Sequence, residues 1–312
     1  MKLSRALGVA AVGVGTTAVV NRTLRKRAGE LEPALPGDQR TYRWRGMDVA
    51  YTEAGSPENP DLVLLHGINA AGSGGEFREI FSNLAEDYHV VAPDLPGFGR
   101  SDRPPLRYSA ALYEDFVADF VGEFDDPLVV ASSLTAAYVT AVADESDVSR
   151  LVFVCPTATA GPEQKQAVRE LLRAPLVGET TFNVLTSKPA IRYFNADHGY
   201  YDPSAAGDEW TDYEWRTSHQ RNARFAPASF VSGYLNSEVD LAATLRELDV
   251  PVTLVWGREA DITPLSDGRD LADEADARLV VFDDAKLLPH VEHAEAFVET
   301  LRQELTADTD TS

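Results

Sequence analysis

From residue 40 onward, short apolar runs alternate with amphipathic stretches. Residues 42–45 and 49–52 flank Arg45-Gly46-Met47, which predicts a β-hairpin. Residues 62–66, 89–92, 128–131 and 151–155 are short runs dominated by Leu, Val and Ala, as expected of strands buried on both faces. Between them the apolar positions take helical spacing. Phe77, Ile80, Phe81 and Leu84 predict a helix over 76–86, and Leu112, Phe116, Phe120 and Val121 predict one over 109–124 with Ser109 as its N-cap. A further helix is expected over 134–143. Residues 161–240 break the rhythm, with helical stretches, many aromatics and no strand pattern. The alternation resumes with strands over 252–256 and 279–282 and helices over 265–275 and 291–305. This predicts an α/β fold, a mostly parallel central sheet with helices on both faces and a helical cap inserted after the sixth strand. The expected core is 32–160 and 241–305, the cap 161–240, and 306–312 a disordered tail.

Composition adds exclusions. The 312 residues are 44% hydrophobic, enough for one large domain with an insertion. A net charge of −22 argues against nucleic acid as a partner, because phosphate binding needs a basic face. The single Cys155 cannot form an internal disulfide and reads as a small core residue at a strand end. There are 50 acidic residues, 23 Arg and 5 Lys. Such a surface is expected of a halophilic protein, since molar salt shortens the Debye length to about 3 Å and screens the self-repulsion.

Residues 1–31 differ in charge. They hold six basic residues (Lys2, Arg5, Arg22, Arg25, Lys26, Arg27) against Glu30, net +5, which leaves −27 on the rest. Between the basic clusters lies the uncharged stretch from Ala6 to Val20. As a helix it would reach about 22 Å, short of the roughly 30 Å hydrocarbon core unless flanking arginines snorkel. No small-x-small cleavage site follows it, and a basic cluster does, so a signal peptide fits poorly. The segment is expected to associate with a membrane and leave the main domain cytoplasmic, on the inner face. A non-anchoring tail is the alternative.

The chemistry is expected at the C-terminal ends of the strands. In Val129-Val130-Ala131-Ser132-Ser133-Leu134-Thr135-Ala136 an apolar strand runs into a helix through small residues. A nucleophile elbow needs this form, and Ser133 is the candidate nucleophile. A serine at a helix start is also a common cap. In Leu64-Leu65-His66-Gly67-Ile68-Asn69 a tight turn follows a strand, and the Ile68 and Leu134 N–H groups are the candidate oxyanion donors. His66 reads as a structural hydrogen bonder. Asp94-Leu95-Pro96-Gly97-Phe98-Gly99-Arg100-Ser101-Asp102 lacks a phosphate-loop lysine and reads as a loop shaping a pocket rim.

In that order and spacing these segments resemble the α/β-hydrolase superfamily over residues 40–305, cap included. Together with the cap stretch from His219 to Phe230, the elbow looks like a branch found in haloarchaea, cyanobacteria and plastids. The resemblance implies an α/β-hydrolase fold and a serine, an acid and a histidine in that chain order. A serine at the elbow separates the chain from relatives with a carboxylate nucleophile. The acid position of the usual W-G-x-x-D-x-x-x-P loop, however, falls on Ala260, with Asp261 one residue later. The catalytic position of the usual A-G-H-x-P-H-x-E segment falls on Leu287, and His290 matches the second, accessory histidine.

Two readings follow. One is a serine hydrolase of an apolar ester, thioester or lactone, with an acyl-enzyme on Ser133 and displaced partners Asp261 and His290. His219 from the cap is the other candidate base, and His219 and Phe230 are candidate substrate-binding residues. The alternative is a catalytically degenerate protein that binds an apolar ligand or a partner. No cofactor motif appears. The six histidines form no H-E-x-x-H, and no metal site is expected although His290 and His293 are spaced i, i+3.

Overall fold

The computed structural model describes residues 17–306. Eight strands form one sheet: β1 (Asp38–Trp44), β2 (Met47–Ala54), β3 (Asp61–Leu65), β4 (His89–Pro93), β5 (Leu128–Ser132), β6 (Arg150–Val154), β7 (Val252–Gly257) and β8 (Arg278–Phe282). Their spatial order is β1-β2-β4-β3-β5-β6-β7-β8. The β1–β2 and β2–β4 pairs are antiparallel, and all others are parallel.

The helices, in chain order, are α1 (residues 17–28), α2 (Phe81–Leu84), α3 (Ala110–Val121), α4 (Leu134–Val142), α5 (Gln166–Arg173), α6 (Val177–Leu185), α7 (Lys188–Phe194), α8 (Gly207–Ser218), α9 (Phe225–Val231), α10 (Leu241–Glu247), α11 (Leu265–Ala275), α12 (Pro289–Glu292) and α13 (Ala294–Thr306). Alternate strand residues feed two cores. Val63, Val129, Ala131 and Phe153 pack with Phe116 and Phe120 of α3 and Tyr138 of α4. Leu62, Val130, Val152 and Val255 pack on the other face with Phe81, Phe297 and Leu301. Burial on both faces is why these strands read as continuous apolar runs.

The cap, α5 to α9, lies between β6 and β7, as the break in alternation predicts. The helix expected over 76–86 is instead a 3-10 turn at Gly74–Phe77 followed by the short α2. That break turns Glu76 and Phe77 into the interior rather than onto a regular helix face.

Residues 17–28 dock on the cap. Asn21 Nδ2 donates to Thr180 Oγ1 at 3.1 Å, Asn183 Nδ2 donates to Asn21 Oδ1 at 3.1 Å, and Arg25 pairs with Glu179 at 3.4 Å. Arg216 Nε donates to Ala28 O at 3.0 Å and Gln220 Nε2 to Gly29 O at 3.1 Å. Among the described residues no helix is long and apolar enough to cross a membrane. Most of the apolar stretch from Ala6, and nearly all of the expected tail, lie outside the described residues.

Candidate functional site

The end of β5 enters α4 through Ser133, whose backbone sits at φ 55° and ψ −127°. A non-glycine residue rarely adopts this conformation, so the turn is strained. Ser133 N–H is fixed to Val154 O at 2.8 Å. The neighbouring strand end closes tightly on the elbow: a Cβ at Gly67 would lie 3.2 Å from Ser132 Oγ and 3.5 Å from Ser133 Cβ. Among the described residues neither the Ile68 nor the Leu134 N–H has an acceptor. Leu134 N–H is a free donor of the helix start, which suits it to a developing or resting oxygen dipole.

His66 is structural, as its sequence context predicts. It is fully buried, its Nδ1 donates to Gly67 O at 2.8 Å, and its Nε2 accepts from Leu95 N at 3.0 Å. Burial holds the ring below its usual pKa, so it is neutral. Asp94 accepts from Gly74 N and Arg100 N, each at 2.8 Å, and so ties the rim loop.

Among the described residues no hydrogen bond joins Asp261, His290 or His219 to Ser133. Asp261 is 61% exposed and its Oδ2 lies 3.1 Å from Lys286 Nζ. His290 is fully buried between Phe77, at 5.3 Å, and Phe297, at 5.7 Å. Its charged neighbour is Glu76, with Nε2 to Oε1 at 3.4 Å. Glu76 Oε2 also accepts from Gly67 N at 2.9 Å, and Ser132 hydrogen-bonds the same carboxylate. Burial, the largest effect, would raise the Glu76 carboxyl, but His290, His66 and Ser132 together bring the net shift downward. His219 is buried against Trp215, at 4.5 Å between rings, and its Nδ1 donates to Trp215 O at 2.8 Å. It does not line the cavity.

At the other end of the rim the expected acid and base positions are apolar. Ala260 is buried with Cys155, Trp256 and Leu265 in one cluster, and Leu287 packs against it. Trp256 Nε1 donates to Thr263 O at 2.8 Å, which fixes the indole. Gly257 permits close approach of the following loop, because a Cβ there would lie 2.0 Å from Lys286 O. Burial pushes the Cys155 thiol up to about 12, so no thiolate forms at neutral pH.

A cavity of about 500 Å³ opens above the elbow. Gly67, Ile68, Ser132 and Ser133 form its floor, and Cys155, Ile262 and Leu287 line it from the sheet side. Phe182, Leu185, Ile191, Phe194 and Phe230 supply an apolar wall from the cap. Phe230, a candidate substrate-binding residue, is thus among the cavity-lining residues. Polar residues Arg78, Asn195, His198, Tyr200 and Glu214 also line the cavity. Sequence reasoning missed them, because they are scattered over more than 130 positions with no motif in common. Among the described residues no group of three or more His, Cys, Asp or Glu could hold a metal ion.

The chain matches the alpha/beta hydrolase family over residues 62–300 and belongs to it. It is 46% identical over 59 residues to an uncharacterized hydrolase of Saccharomyces cerevisiae, a match that covers 19% of this chain and 20% of that protein. It is 25% identical over 254 residues to 2-hydroxy-6-oxo-6-phenylhexa-2,4-dienoate hydrolase of Burkholderia cepacia, covering 76% of this chain and 84% of the relative. In structure it is similar to the enzyme of that name from a Rhodococcus species, with a TM-score of 0.70 at 21% identity, covering 87% of this chain and 99% of the other. That similarity carries the fold.

Proposed function

We propose that this chain is an α/β-hydrolase-fold protein that binds an apolar, carbonyl-bearing ligand and does not hydrolyse it. One observation carries the reading. The positions where the sequence pattern puts an acid and a catalytic histidine, Ala260 and Leu287, belong to an apolar cluster with Cys155, Trp256 and Leu265. A serine hydroxyl needs a base within about 2.6–3.2 Å to become a nucleophile, and among the described residues no base makes that contact with Ser133.

The elbow and its free N–H groups then act as a dipole site. Ile68 N–H and Leu134 N–H donate to a ligand carbonyl oxygen, while Phe182, Phe194 and Phe230 bury its apolar body. The alternative, an acyl-enzyme on Ser133, is supported by the strained backbone of Ser133, by the Ile68 and Leu134 N–H groups and by the hydrolase relatives.

The direct test uses the full chain in molar KCl. The neutral fluorophore N-phenyl-1-naphthylamine should bind with about one site per chain. Hydrolysis of p-nitrophenyl butyrate and octanoate should equal that of the Ser133→Ala variant. Turnover that disappears in the variant would overturn the reading in favour of a serine hydrolase.

The same reading extends to a membrane. Leu185, Phe194, Val231 and Ile262 line the cavity and are each 39–50% exposed, which supports a mouth that faces lipid. The basic helix α1 is pinned to α6, the cap helix that carries Leu185. We therefore place the cap against the inner face of the cell membrane. Flotation with phosphatidylglycerol vesicles tests this, and a chain that stays unbound in both low and molar salt would contradict it.

A further inference from the structure

The polar residues at the cap end of the cavity have no task in the reading above. Arg78 lies with its guanidinium 4.1 Å from the ring centre of Trp210, and its Nε pairs with Glu79 at 3.2 Å. Its Nη1 is buried and has no hydrogen-bond partner among the described residues. His198 Nδ1 is in the same condition, while its Nε2 lies 3.2 Å from Asp197. Asn195 Nδ2 donates to Glu214 Oε2 at 2.7 Å. Tyr200 is buried beside Arg78. All of these side chains except Glu79 and Asp197 line the cavity whose floor is the elbow. A buried guanidinium N–H is costly to leave without an acceptor. Such a donor on the wall of the cavity fits an acceptor group brought in by the ligand.

We infer that the cap end of the cavity is a carboxylate subsite, in which Arg78 holds the anionic end of an apolar ligand and Glu214 takes up a proton when that end arrives. The inference rests on the apolar-ligand reading and adds to that ligand a carboxylate at the end away from the elbow, the end that decanoate represents. The ligand loses no proton and forms no bond to the protein. The proton on Glu214 comes from the solvent.

The charges around Glu214 allow this. Arg78, from the segment before α2, is the cation that faces it. Glu76, Tyr200 and the His198–Asp197 pair are the other titratable groups at this end of the cavity. On the α7–α8 seam, Lys188 is paired with Asp212 and Arg192 with Asp208. Burial pushes the Glu214 carboxyl up to about 7, against the opposing effects of Asn195 and Arg78. A second carboxylate nearby would raise it further, since two like charges in one dry site do not both persist. Binding and protonation are then linked. The anion binds fully when Glu214 is neutral, below about pH 7, and loses affinity as pH rises above that value.

Calorimetric titration of the full chain with decanoate and with decanol, at pH 6 and pH 8, tests this. Decanoate is ionised at both. Its affinity should fall about tenfold from pH 6 to pH 8, from the linkage to a group near 7. Decanol should bind more weakly than decanoate at pH 6 and without pH dependence. In Glu214→Gln the pH dependence should vanish, and in Arg78→Gln the preference for decanoate over decanol should be lost. Equal binding of decanoate and decanol at both pH values would overturn the subsite and leave the apolar pocket standing. Failure of decanoate, decanol and N-phenyl-1-naphthylamine alike would overturn both.

Discussion

The two halves of the rim above the sheet have different chemistry on the same scaffold. On the β3–β5 side the backbone is strained and polar: Ser133 sits at φ 55°, and the Ile68 and Leu134 N–H groups are left free. On the β7–β8 side the loops are tightly packed and apolar, with Ala260 and Leu287 gathered around Trp256. The first half retains what a hydrolase uses to hold an oxygen. The second holds Ala260 and Leu287 at the two positions where the family pattern has an acid and a histidine. Strain at a turn costs about 1–3 kcal/mol and persists only when the surroundings impose it. Its presence beside Ala260 and Leu287 is the contrast on which the proposed binding role rests.

The strongest way to break this comparison is to restore the missing half. Leu287→His combined with Ala260→Asp puts both groups back at the positions of the family pattern. General-base assistance is worth about 10²–10⁴-fold, so the double variant should gain p-nitrophenyl butyrate turnover of that order over the wild-type chain. No gain in a variant whose melting curve shows it folded would mean that more than these two side chains separates the halves. A smaller effect sharpens the strained half. Ser133→Gly removes the penalty of a left-handed φ, partly offset by glycine's own entropy. It should raise unfolding free energy by about 1 kcal/mol in urea titration, whereas a loss would show that the hydroxyl holds the elbow. The smallest effect concerns Asp261. Its exposed contact with Lys286 predicts that Asp261→Ala changes stability by less than about 1 kcal/mol and leaves N-phenyl-1-naphthylamine binding untouched.

Much of the fold was legible in the sequence because its causes are local. Strands buried on both faces must be short apolar runs, and the break in alternation at 161–240 marks the cap. The strained elbow could be read from small residues around Ser133, and the structural role of His66 from the glycine after it. The site was legible only where chain neighbours make it. Glu76 and His290 meet from positions 214 residues apart, and no spacing rule links them. The same is true of Arg78, Asn195 and Glu214. The helix expected over 76–86 fails for a related reason: tertiary demand for Glu76 under Gly67 overrides the 3.6-residue pattern. Asp261 looked usable because it lies one residue from the family's acid position. The turn after β7 instead directs its side chain to solvent and Lys286, and buries Ala260.

Whether Ser133 is activated decides between the two halves of the account. The measurement is intact mass of the full chain, held in molar KCl, after exposure to a fluorophosphonate probe, with Ser133→Ala as control. An unmodified chain that still binds N-phenyl-1-naphthylamine is the predicted result. A single adduct, absent from the variant, would show a working base at the elbow and contradict it.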